Sequence, residues 1–188
     1  MTARPTSPDE TGALLTAVAR AAICRRLGQV YVCPNCPDWM DAPGAVFVTL
    51  TRDGQLRGCI GSLEACRSLR ADLEANACAA AFRDPRFPPL AAEELPGTRV
   101  EVSILSQPEA MAFRDEADAL AQLRPGIDGV ILEYGRHRGT FLPQVWEQLP
   151  EPGLFMRHLK LKAGLPPDFW SDDLRLSRYS VEKYKEAS

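Results

Sequence analysis

Residues 46 to 61 constrain the fold more than any other stretch. Val46-Phe47-Val48-Thr49-Leu50-Thr51-Arg52 is β-branched and aromatic, Asp53-Gly54 is a two-residue hairpin turn, and Gln55 to Ile60 returns antiparallel. Gly58 and Gly61 flank Cys59 on the returning strand. A glycine inside a strand marks a bulge or a close approach of another backbone or a ligand, because no Cβ fills the space. Arg57 and Cys59 lie two positions apart and so are expected on one face, where a cation would favour thiolate over thiol. The competing expectation is that Cys59, beside Ile60, is a small hydrophobe in a sheet core.

The chain has 188 residues, 45% of them hydrophobic and 25% charged, which fits one soluble globular domain over residues 1–188. Residues 1–12 are expected to be a flexible N-terminal segment. No apolar run approaches the ~20 residues of a membrane helix, and Met1 to Asp9 lacks the basic start and apolar stretch of a signal peptide, so a cytoplasmic location is expected. Six cysteines spread through a chain of this size read as reduced thiols. A net charge of −3 gives no general attraction to nucleic acid or membrane lipid. Arg136-His137-Arg138 is the densest basic stretch and reads as a hairpin tip.

The pattern along the chain is mixed. Asp9 caps a predicted helix to about Leu27, with Gly28 as its stop, and Ser68 caps a second from Leu69 to Phe82, whose Ala77 to Ala81 run permits close packing. Thr98 to Leu105 alternates, with Val100, Val102 and Ile104 on one face and Arg99, Glu101 and Ser103 on the other. A short helix is expected at Ala117 to Leu123, strands at Gly129 to Tyr134 and Thr140 to Leu142, and a helix at Leu154 to Ala163 stopped by Gly164. His158 is read as a packed helix residue, and Leu174 to Tyr184 as one closing strand. Hairpins and irregular alternation favour an α+β fold with mainly antiparallel sheets and flanking helices.

These motifs resemble the AMMECR-one family. The resemblance is carried by Phe47 to Leu50, the signature Leu56-Arg57-Gly58-Cys59-Ile60-Gly61, Asp84-Pro85-Arg86-Phe87, Val100 to Leu105, Gly126-Ile127-Asp128-Gly129, Phe141-Leu142-Pro143 and Lys162-Ala163-Gly164-Leu165, in order and over nearly the whole chain. In prokaryotes the family appears as component A of the AmmeMemoRadiSam system, and its biochemical activity is not settled. The resemblance implies an α+β fold with a larger and a smaller subdomain and a cleft between them. It implies Cys59 and Glu101 as candidate catalytic residues and Arg57, Gly58, Gly61, Asp84, Arg86 and Ser103 as candidate substrate-binding residues. If the two strands were neighbours, the site would join a thiol, two arginines and two carboxylates and could orient an anionic small molecule. The competing expectation is a structural ion pair between Arg86 and Glu101. The partners implied are Memo-type and radical-SAM proteins, a small-molecule or protein substrate, and a second copy in a homodimer. An enzyme or enzyme component is expected, with a non-catalytic protein-binding adaptor as the alternative. No C-x-x-x-C-x-x-C motif is present for radical-SAM chemistry of its own, and the cofactor is unassigned.

Many relatives carry a cysteine where this chain has Lys160, which removes the second thiol of any two-cysteine mechanism at Cys59. Cys33-Pro34-Asn35-Cys36 has the bite for a metal but no second pair at normal spacing, so a surface loop and redox pairing stand beside zinc as readings. Cys59→Ser and Arg57→Ala are expected to spare the fold, and valine at Gly58 or Gly61 to disturb it through backbone strain or closure of the cleft.

Overall fold

The computed structural model describes residues 7–187. In chain order it contains α1 (Pro8–Arg26), β1 (Ala45–Arg52), β2 (Gln55–Gly61), α2 (Leu69–Phe82), β3 (Thr98–Leu105), β4 (Glu109–Ala110), α3 (Glu116–Gln122), β5 (Gly129–Tyr134), β6 (His137–Phe141), α4 (Pro152–Lys162), β7 (Arg175–Tyr179) and β8 (Val181–Lys185). The fold is α+β, with two antiparallel four-stranded sheets of order β2-β1-β3-β8 and β4-β7-β5-β6. It forms two compact units, the first running up to Leu105 and rejoined from Glu182, the second from Ser106 to Val181. Among the described residues no helix is long and apolar enough to cross a membrane.

The first six residues of the expected flexible segment lie outside the described residues, and from Pro8 the chain is already helical. Pro8 with Asp9 and Glu10 in the first turn suits a helix start, so Ser7 takes the capping position that Asp9 was expected to hold. At the other end Gly28 adopts φ +69, with its N–H on Arg25 O at 3.2 Å and the Gln29 N–H on Cys24 O at 2.9 Å, the paired bonds of a Schellman stop.

In the first unit Val46, Val48 and Leu50 of β1 and Val100, Val102 and Ile104 of β3 share one face and pack with residues of α1 and α2 in a single core. Asp53 and Gly54 both take positive φ, 52° and 75°, as a type I′ turn requires. Gly58 sits under α2: a Cβ there would lie 2.1 Å from the Ala80 carbonyl oxygen. The small residues Ala77 to Ala81 and the bare Gly58 together let helix and strand meet. At Gly61 a Cβ would lie 2.2 Å from Cγ of Phe47, whose ring covers it. Neither glycine has positive φ, so the requirement is for space, and the strain expected from the sequence is absent. Asp72, 1% exposed in the first turn of α2, accepts from the Val46 N–H (2.9 Å), Ser62 Oγ (2.7 Å), Arg67 Nε (2.8 Å) and Asn76 Nδ2 (3.0 Å). It thereby ties the helix to the start of β1 and the end of β2.

In the second unit Phe155 stacks on Trp146 with centroids 3.8 Å apart at the centre of the core. The expected closing strand is two strands in different sheets, β7 and β8, divided at Ser180. Ser180 is held instead by Ser106, with the Ser106 N–H on Ser180 O and the Ser180 N–H on Ser106 Oγ, both at 2.9 Å. Only Arg136 of the basic stretch lies in the turn; His137 and Arg138 belong to β6. His158, expected to be packed, is exposed on α4, because Phe155, Met156, Leu159 and Lys160 supply the buried side.

Gly58→Ala is expected to destabilise by about 2–3 kcal/mol, because the Ala80 carbonyl it meets is backbone and cannot swing aside, and Gly61→Ala by less, because the half-buried Phe47 side chain can swing as a whole about its Cα–Cβ bond. Urea unfolding of the two variants checks the order; equal stabilities would contradict it.

Candidate active site around Cys59

β2 is an edge strand, so its outward N–H and C=O groups have no neighbouring strand. At Cys59 a side-chain pair replaces that strand. Asp84 Oδ2 accepts the Cys59 N–H at 2.9 Å, and Arg86 Nη2 donates to the Cys59 carbonyl at 3.2 Å. The two side chains hold each other through a fork, Nε to Oδ1 at 2.9 Å and Nη2 to Oδ2 at 2.7 Å, and the Arg86 N–H also donates to Oδ1 at 3.1 Å. Pro85 fixes the chain between them. The Arg86 fork, with the Cys59 and Arg86 N–H groups, holds the buried Asp84 carboxyl well below the usual carboxylate range.

Arg57 does not share the face of Cys59. Leu50 pairs with Gly58 but Thr51 pairs with Leu56, so Arg57 is the extra residue of a β-bulge and the alternation slips by one. Its guanidinium is buried and forms a fork with Glu94, Nε to Oε1 and Nη2 to Oε2, each at 2.9 Å. Arg57, together with the Ala91 N–H and Arg52, holds the Glu94 carboxyl down at about 2. Both guanidinium groups approach the Phe87 ring, whose centroid is 5.9 Å from Arg57 Cζ and 5.5 Å from Arg86 Cζ.

β2 and β3 are not neighbours, because β1 runs between them. Thr49 of β1 pairs with Cys59 on one side and with Glu101 on the other, so the three form one transverse row on the sheet face opposite α1 and α2. Two strand spacings put the Cys59 and Glu101 Cα atoms about 10 Å apart. The Thr49 hydroxyl donates to Cys59 Sγ at 3.3 Å. Glu101 is approached at 3.7 Å by Lys185 of β8, which takes the place the sequence offered to Arg86. The next row holds Gly61, Phe47 and Ser103, and Ser103 is 7% exposed. Cys59 itself is half-buried.

The structure thus brings Cys59, Gly61, Glu101 and Ser103 onto one face, and commits Arg57 and Arg86 to carboxylates that fix β2 from its edge. Gly58 faces the helices. Thr49, Glu94 and Lys185 were missed by sequence reasoning. The register of a hairpin with an unseen bulge hides Thr49, while Glu94 sits in an acidic pair that reads as a solvated helix start. Among the described residues no group of three His, Cys, Asp or Glu side chains could hold a metal, Cys33 and Cys36 included. Lys160 is fully buried in the second unit, where Nζ meets Glu116 Oε1 at 2.5 Å and lies 5.4 Å from the Trp170 centroid.

Two small antiparallel α+β units with a cysteine clamped on an edge strand define the class of protein. The sequence matches the AMMECR1 family over residues 16–184, and the chain belongs to that family. It is similar to protein MJ0810 of Methanocaldococcus jannaschii, 39% identical over 186 residues that cover 94% of this chain and 90% of that one. A Methanothermobacter thermautotrophicus protein is 40% identical over 189 residues, 97% of each chain. The crystal structure of the uncharacterized protein PH0010 from Pyrococcus horikoshii superposes with a TM-score of 0.76 at 34% identity, covering 95% of this chain and 92% of that one.

Because the buried Arg57 guanidinium is forked to the half-buried Glu94, Arg57→Ala is expected to cost about 2–3 kcal/mol, the reverse of the tolerance read from sequence; urea unfolding within about 1 kcal/mol of wild type would contradict this. The pH dependence follows from the same pairs. A carboxyl whose folded value is depressed stabilises the fold above its unfolded value and loses that contribution as pH falls toward the folded one. For Glu94 the window runs from 4.5 down to about 2, with the Asp84 loss overlapping its lower part. Unfolding midpoints measured through this window should fall less steeply for Glu94→Gln than for wild type; parallel curves would contradict the pairing.

Proposed function

We propose that the protein is an enzyme, or an enzyme component, that modifies a small molecule or a protein side chain through Cys59, together with Memo-type and radical-SAM partners in the cytoplasm. One observation carries the reading. Cys59 is held by its backbone on the outer side and by a hydroxyl on its sulfur, yet the thiol stays half-buried rather than sealed in the core. A core cysteine needs neither device. Fixing a nucleophile's position before the reaction removes orientational freedom that would otherwise be lost at the barrier.

In this role the Cys59 thiolate, its proton given up to solvent, adds to a carbonyl-type carbon bound over Thr49, and the π electron pair of that carbon moves onto its oxygen, which then takes a proton. The Thr49 hydroxyl steadies the sulfur, and Glu101, farther along the row, takes or supplies a proton on the substrate. Ser103 contributes a hydroxyl one row away. Arg57 and Arg86 act by positioning the strand, since the Nε–Nη2 edge of each is already filled by a carboxylate. An anionic substrate would have to use the remaining Nη1 groups, of which that of Arg57 is buried without a partner.

Native full-length protein is expected to be alkylated at Cys59 by iodoacetamide, and Thr49→Val to change that rate by about 3-fold or more through loss of the hydroxyl at sulfur. Cys59→Ser should keep its stability within about 1 kcal/mol. In metabolite profiling it should reproduce the changes of a deletion strain. A Cys59 inert until the protein unfolds, or a serine variant with a wild-type profile, would turn the assignment to a non-catalytic adaptor.

A further inference from the structure

We propose that Cys33 and Cys36 form a reversible dithiol–disulfide couple, oxidised by exchange with a small disulfide of the glutathione type. The site is separate from Cys59, so the proposal stands or falls apart from the function assigned to that residue.

The two cysteines lie in the connection between α1 and β1, in the C-P-N-C-P run, whose prolines limit the loop's conformations. Residues 29 to 37 belong to no helix or strand, so closing a ring across three peptide bonds disturbs no ladder. The thiols differ in a way that suits sequential exchange. Cys33 is exposed, and the residues before it leave it open, Val30 being fully exposed and Val32 86% exposed. Cys36 is half-buried against the first core, with its Sγ turned back toward the Pro34 carbonyl at 3.8 Å, on the Cys33 side of the loop. Each sulfur lies within electrostatic reach of the other and of Arg70, in the first turn of α2. The exposure of Cys33 makes it the first to meet the small disulfide, and burial pushes the Cys36 thiol up. Among the described residues no third metal-binding side chain joins the two, which leaves the pair to bond to each other.

The exchange balances in two steps. The Cys33 thiolate attacks one sulfur of the small disulfide, that S–S bond breaks, and one small thiolate leaves. The Cys36 sulfur, giving up its proton, then attacks the Cys33 sulfur of the mixed disulfide and expels the second small thiolate. The protein loses two electrons and two protons, which the small disulfide takes up as two thiols.

The test treats reduced full-length protein with glutathione disulfide, quenches with acid, and reads intact mass and peptide maps. Wild type should lose the mass of two hydrogens with the crosslink inside residues 33–36, reversed by dithiothreitol. Cys36→Ser should instead accumulate glutathione on Cys33, about tenfold above wild type, since its resolving sulfur is gone. Cys33→Ser, which changes only an exposed side chain, should form no disulfide at residue 36 and serves if Cys36→Ser misfolds. A lasting glutathione adduct on wild-type Cys33, a crosslink from either residue to another cysteine, or two unreacted thiols would overturn the proposal.

Discussion

The ion pair of Asp84 and Arg86 stands where a strand would otherwise have to be. An edge strand leaves alternate N–H and C=O groups unpaired, and a glycine-flanked edge has little side-chain bulk to hold it flat. A carboxylate and a guanidinium locked in a fork present one acceptor and one donor with fixed separation, and those are the two groups that the outward backbone of Cys59 needs. The arrangement costs little in side-chain freedom, because the two residues are close in sequence and share a proline-stiffened loop. Asp84 is buried, so removing either member leaves polar groups without partners, the costly half of any hydrogen-bond exchange.

The same edge explains the second arginine. The bulge that turns Arg57 away from Cys59 points its guanidinium at Glu94, and the Phe87 ring is approached by the guanidinium groups of both pairs. Two motifs that read in sequence as ingredients of a binding site, Arg57 and Asp84 to Phe87, support a short length of β2 together with Glu94. Cys59, Thr49 and Glu101 stand in a row on the sheet face opposite the helices. Charges gathered around a thiol are therefore no guide to what the thiol binds, since here they hold its backbone.

Much of the fold was legible because it rests on local signals. The Asp53-Gly54 turn, the alternation of Thr98 to Leu105 and the Ser68 cap each act within a few residues, and each marks its element correctly. Strand order and register were not legible. That β1 separates β2 from β3 depends on which strand pairs fill the core, and the one-residue slip at Arg57 has no signal beyond the glycine that follows it. The break at Ser180 was hidden for a similar reason: a continuous β-rich run looks the same whether one sheet or two claim it. The candidate cysteine was visible from the glycines around it, but its hydroxyl partner Thr49 comes from across the hairpin and becomes readable only with the register.

Amide hydrogen exchange at Cys59 tests the central claim most directly, since that N–H has no strand partner and is held by Asp84 alone. In native wild type it should be protected like the interior amides of β1. In Asp84→Ala the protection should fall by about tenfold to a hundredfold, the equivalent of a hydrogen bond lost at a buried group, while amides of β1 and β3 change little. A Cys59 amide that exchanges freely in wild type, or one whose protection survives Asp84→Ala, would contradict the account.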